Sequence, residues 1–157
     1  MIILAFTNKD IVLNAMYTQG MNDALSLQNS ASDMTADEIL AEEYCIPNFN
    51  PEKQYLNYTA GFICVSPSGN VVKLLQPYDS TIYTQNPEDL PAQWGFYWAS
   101  DPKYAKPFVK LSTSPYNKGH CCTFEGHVWK STIDTNVWSP TEYPTGWEDL
   151  SEISQYQ

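Results

Sequence analysis

Residues 116–150 read YNKGHCCTFEGHVWKSTIDTNVWSPTEYPTGWEDL, and residues 58–94, YTAGFICVSPSGNVVKLLQPYDSTIYTQNPEDLPAQW, follow the same plan. Each copy opens on Tyr-x-x-Gly, passes a Gly-centred turn into a Lys-ended strand, and closes on Pro-x-x-x-Pro-x-x-Trp. The shared positions are Tyr58 and Tyr116, Gly61 and Gly119, Gly69 and Gly126, Lys73 and Lys130, and Trp94 and Trp147. An internal repeat outranks any single motif as a guide to architecture.

Within each copy the β signals are local. Gly61-Phe62-Ile63-Cys64-Val65 and Val71-Val72-Lys73-Leu74-Leu75-Gln76 flank Ser66-Pro67-Ser68-Gly69-Asn70, which predicts a hairpin. Cys121 to Phe124 and His127 to Thr132 flank Glu125-Gly126 and predict a tighter one. After each hairpin the chain turns Pro-rich and irregular before its closing Trp, the pattern of a loop that wraps the hairpin and anchors itself with an indole. Units of about 40 residues bury little apolar surface. The 11 Tyr, 6 Phe and 5 Trp supply the missing core volume, at roughly 150–250 Å² per ring.

Upstream, residues 1–50 carry few aromatics and two helix starts. Thr35-Ala36-Asp37-Glu38 is a capping box that opens a short helix over Ala36 to Glu43. Thr7 with Asp10 offers a second start before Ile11, Val12, Ala15 and Met16, predicting a helix from about Asn8 to Gln19 with an apolar stripe. The predicted fold class is α+β, mainly β: a helical region over 1–50, β units over 51–98 and 116–150, a Pro-containing linker over 99–115, and a polar, frayed tail over 151–157.

Charge and composition narrow the function classes. A net charge of −10 with only 8 Lys+Arg leaves no basic stripe for phosphates, so nucleic acid is not an expected partner. No apolar run has the length of a membrane span, and Met1-Ile2-Ile3-Leu4-Ala5-Phe6 lacks the basic start of a leader. Cys45, Cys64, Cys121 and Cys122 are expected as reduced thiols, because adjacent Cys121 and Cys122 leave opposite faces of a strand. The same alternation argues against a metal site built on His120, Cys121, Cys122 and His127. Glu38, Glu42, Glu43, Glu88, Asp89 and Glu142 fall in caps and turns, and neither His has a spaced carboxylate partner, so no catalytic residue and no cofactor is expected.

The second copy resembles the small chitin-binding type of carbohydrate-binding module, families five and twelve. The first looks like the same module in the form that follows a short helical segment in tail-associated proteins of bacteriophages and prophages. The resemblance implies a three-stranded antiparallel unit with an aromatic core, exposed rings forming a flat sugar-binding strip. On this likeness Tyr116, Trp129 and Trp147 are core in the second copy and Tyr58 and Trp94 in the first, while Trp138, helped by Tyr143, faces a polysaccharide or cell-surface glycan. Trp138 has an alternative role, closing a contact with the helical segment or a neighbouring subunit. In the first copy Gln85 stands where the family has Trp, and Tyr83 is the nearest aromatic.

The implied protein is a non-catalytic glycan binder of a virion, made in the host cytoplasm, or else a structural virion protein (decoration, fibre or adaptor) that keeps the module as a spacer. The helical region either joins other virion proteins or lids the first β unit, and a homo-oligomer is compatible with both.

Overall fold

The computed structural model describes residues 7–156. The expectation for Met1 to Phe6 lies outside them. Helix α1 (Asn8–Ser30) and α2 (Ala36–Ala41) precede a three-stranded sheet of β1 (Ile63–Val65), β2 (Val71–Leu74) and β3 (Trp94–Phe96). A four-stranded sheet follows, formed by β4 (Lys106–Pro107), β5 (Cys121–Phe124), β6 (His127–Ser131) and β7 (Trp147–Glu152). The chain is α+β, and because α1 is 23 residues long, helical residues outnumber strand residues.

Both helices start where side-chain chemistry dictates. Thr7 accepts from the Asp10 N–H while Asp10 returns a bond to the Thr7 N–H, and Thr35 and Glu38 repeat the exchange. Helix α1 runs past Gln19 to Ser30, since one Gly at position 20 costs only about 1 kcal/mol and good helix formers follow it. Its last turns, α2 and Ile46 form one apolar cluster with Ile63, Val71 and Ala99, so this part of the helical region covers the outer face of the first sheet. Gln28 completes the β1 edge: its amide accepts from the Ile63 N–H (2.9 Å) and donates to the Ile63 carbonyl (2.7 Å). A buried strand edge must find such partners.

The two sheets repeat the same hydrogen bonds. Gly61 N–H donates to Leu74 O (2.7 Å) and Leu74 N–H to Phe62 O (2.8 Å); Gly119 N–H donates to Ser131 O (2.9 Å) and Ser131 N–H to His120 O (2.8 Å). Trp94 pairs with Leu74 at the start of β3, and Trp147 pairs with Ser131 at the start of β7. Glu125 and Gly126 both take positive φ, 49° and 82°, as a two-residue hairpin turn of the right twist demands.

The opening tyrosines differ. Tyr116 is fully buried and its hydroxyl accepts from the Val109 N–H (3.1 Å), with Phe108 stacked at 5.5 Å. In the first sheet that role falls to Tyr55, whose hydroxyl accepts from the Asn50 N–H (2.8 Å) and which stacks on Phe49 at 5.5 Å. Tyr58 is half-buried against Tyr55 and Phe62.

The repeat therefore begins upstream of Tyr-x-x-Gly, at Phe49 and at Phe108. Residues 99–115, expected as a linker, are part of the second unit: Cys121 N–H donates to Ala99 O (2.6 Å), and β4 pairs in parallel with Cys122 and Thr123. Asn48 bridges Val65 in the same parallel sense in the first unit. Beyond β7 the tail turns back on the strand, where the Tyr156 hydroxyl donates to Leu150 O (2.9 Å).

An aromatic run joins the two cores. Phe96 stacks on Trp98 (5.3 Å), and Trp98 on Tyr116 (4.4 Å). Asp37 caps the turn between them by accepting from the Ser100 and Asp101 N–H groups, and Glu43 pairs with Lys106.

Candidate functional site

The loop from β6 to β7 carries Trp138 and Tyr143, and its rigidity starts with one buried amide. Asn136 is fully buried; its Nδ2 donates to Ser131 Oγ and Gly146 O, both at 3.0 Å, and its backbone pairs with Tyr116. Its Oδ1 accepts from the Trp138 N–H (3.3 Å), and the Trp138 carbonyl accepts from Trp147 Nε1 (2.9 Å). The backbone of Trp138 is thus held from both sides. Ser139 and Glu142 close a capping box, and Glu142 Oε1 accepts from Lys110 Nζ at 2.7 Å. These donors hold the Glu142 carboxyl below the usual carboxylate range, Lys110 first among them.

On this frame the two rings are offered to solvent, Trp138 being 44% and Tyr143 42% exposed. They lie 5.7 Å apart at 63°. The pair forms an angled shelf, which corrects the expectation of a flat strip. Tyr143 rests on Gly146, where an added Cβ would come within 2.7 Å of Tyr143 Cδ1. A methyl there would displace the phenol.

The other sequence candidates lie elsewhere. Tyr83 is exposed in the first unit beside exposed Ile82, on a turn held by its N–H donating to Asp79 O (3.0 Å), and among the described residues no second ring pairs with it. Trp94 is fully buried and donates to Tyr78 Oη (3.0 Å); Trp147 is buried against Tyr116 (5.4 Å) and Phe108 (6.1 Å). Trp129 is half-buried at the edge of that cluster, its indole N–H donating to Phe124 O (3.1 Å).

Two features escaped the sequence reading. His127 has a carboxylate partner after all: its Nδ1 lies 2.9 Å from Asp149, 22 residues away, because β6 and β7 are neighbours. This bond holds the Asp149 carboxyl below its usual range. A groove of about 910 Å³ opens between the end of α1 and the first sheet, lined in part by Gln28, Thr59, Phe62, Lys73 and Tyr97, with Lys73 Nζ 5.6 Å from the Tyr97 ring centre. Only the tertiary fold brings these residues together.

All four cysteines are free, and Cys64 and Cys122 take equivalent positions opposite Val72 and Trp129. Burial pushes the Cys64 thiol up to about 12 and Cys121 up to about 11, and raises Cys122 further. Thiolates are the reactive form, so Cys64, Cys121 and Cys122 should resist a disulfide reagent at pH 8 in the folded protein and react once it is denatured. Rapid labelling of more than one thiol before unfolding would contradict this burial. Among the described residues no three His, Cys, Asp or Glu side chains converge as metal ligands, and no helix is long and apolar enough to cross a membrane.

Compared with protein-family models, with curated proteins and with solved structures, the chain matches none.

Proposed function

We propose that this protein is a non-catalytic carbohydrate-binding protein of a bacteriophage virion, a tail accessory that holds host surface glycans weakly through Trp138 and Tyr143. The observation that carries the reading is the contrast between those two rings and the other tryptophans of the second unit. Trp147 is buried and Trp129 is half-buried with its N–H satisfied, whereas Trp138 stands exposed on a loop whose backbone is hydrogen-bonded from within. A rigid exposed ring loses little conformational entropy on binding. The apolar C–H face of a pyranose fits an indole, and at 63° the phenol meets the sugar's rim instead of the next sugar in line. One sugar unit at the shelf, with weak affinity, is the expected stoichiometry. The virion assignment rests on the likeness of the first copy, with its preceding helical segment, to phage tail-associated modules.

Several acidic groups have structural work that accounts for them. Glu38 and Glu142 close capping boxes, Glu43 pairs with Lys106, and Glu88 accepts from Ser66 and Asn70 at the first hairpin. The reading therefore includes no hydrolysis of the bound polymer.

Retention on chitin, peptidoglycan and host cell walls tests it. Trp138→Ala should weaken retention about tenfold, a loss of roughly 1–2 kcal/mol for one stacking ring, without lowering the melting temperature. Tyr143→Ala should give a smaller loss. Wild type that binds none of these polymers when displayed in many copies, or a Trp138→Ala protein that loses particle assembly while retention is unchanged, would replace this reading with the structural virion protein.

A further inference from the structure

Among the described residues, the first two-thirds of α1 has no counterpart surface. Ile11, Val12, Leu13, Met16, Tyr17, Met21 and Leu25 are 50–68% exposed, and Leu27 is the only fully buried residue of the helix. From Ile11 to Asn22 there is no charged side chain. At 100° per residue these apolar positions are spread round the helix between the uncharged polar Asn14, Thr18, Gln19 and Asn22, so that, contrary to the expected stripe, no single apolar face gathers them. Alone, a stretch of this length is marginal.

We propose that α1 assembles with the same helix of other copies of this chain into a bundle of at least three helices. Three observations select a copy of itself as the occupant. A surface with no charge complements neither an acidic nor a basic partner, but it complements itself, and in a chain of net charge −10 it is the segment where copies meet with least repulsion. Apolar residues around the whole circumference need neighbours on more than one side, which symmetric closure around an axis provides. The exposed side chains together present apolar area on the order of the ~800 Å² per partner that a standard interface buries.

The spacing supports the same arrangement. Leu13, Tyr17, Gly20, Ala24, Leu27 and Ala31 follow steps of four and three, a seam whose lower end, Leu27 and Ala31, is buried in the body of its own chain. Above it the seam is open. Where the two parts meet, a notch of about 430 Å³ lined by Gly20, Ala24, Tyr44, Ile46, Pro47 and Phe62 seats a neighbouring helix. Assembly also multiplies the Trp138 shelf, so a weak single contact becomes a useful one.

Sedimentation equilibrium of the full chain tests the proposal. Wild type should have the mass of at least three 17.8 kDa chains, and the Met16→Glu/Tyr17→Glu double variant the mass of one. Both positions are exposed and belong to none of the buried clusters of the sheets, so the variant should keep the thermal transition of the β units while losing helical circular dichroism. Wild type of one or two chains' mass, wild type that forms aggregates of no fixed size, or a variant that stays assembled each overturns it. Trp138→Ala should leave the mass unchanged, which separates failure of this proposal from failure of the glycan reading.

Discussion

Replacing Trp147 by alanine is expected to unfold the second β unit, at a cost of about 3–5 kcal/mol for a buried aromatic. The indole fills the space between Tyr116 and Phe108 and ties the loop to the sheet through its bond to the Trp138 carbonyl. A domain of this size has only about 5–15 kcal/mol in total, so the loss is a large fraction of it. Trp94→Ala should do the same to the first unit, where the indole meets Tyr55 (5.2 Å), Phe49 (5.8 Å) and Tyr78 (6.1 Å). Thermal unfolding followed by near-ultraviolet circular dichroism reads both. Because Phe96 and Trp98 carry stacking from one core to the other, each variant should also lower the stability of its neighbour. An unchanged melting temperature for Trp147→Ala would remove the indole from the core.

The second large effect is expected at Asn136. Alanine there removes one of two bonds from the Ser131 hydroxyl, which keeps Ile133 O, and from the Gly146 carbonyl, which keeps the Thr132 N–H, and it leaves the part-buried Trp138 N–H without its partner, an unmet group that costs about 1–3 kcal/mol. Since the same amide fixes the loop that presents Trp138 and Tyr143, Asn136→Ala should lose stability and glycan retention together, whereas Trp138→Ala loses retention alone. Calorimetry on both variants, alongside the retention assay, distinguishes them. A stable Asn136→Ala protein would mean that the loop is held by its capping box and the Trp147 bond without the amide.

Both units were visible in the sequence because their signals are short in range. The turn glycines, the β-rich run Val71-Val72-Lys73-Leu74, and the capping boxes at Thr7 and Thr35 act through neighbours within a few residues, and both hairpins and both helix starts form where expected, while α1 ends later and α2 earlier than expected. The limits of the units were misplaced for the opposite reason. Pro102, Pro107 and Pro115 mark 99–115 as a linker by composition, yet a two-residue strand, Lys106–Pro107, pairs in parallel with β5 and seats Phe108 on Tyr116. A two-residue strand has no periodicity to detect. The end of the second unit lacks such a signal too, because β7 runs on through Leu150 to Glu152 by pairing with β6, a bond pattern that polar residues do not advertise.

Of the candidate site, the sequence by itself determined which rings lie outside the paired positions of the repeat: Trp138 and Tyr143 sit in the wrapping loop, while Trp94 and Trp147 close each copy. Tertiary structure alone decided the 63° angle of the shelf, the pairing of His127 with Asp149, and the replacement of Tyr58 by Tyr55 as the buried phenol. It also decided that α1 is divided, its last turns covering the first sheet and its earlier turns left open. The physical reason is one of range. Turn chemistry, capping and alternation are set by residues close along the chain, whereas ring angles, cross-strand partners and the choice of which apolar stripe is covered depend on what packs against them from far away in sequence.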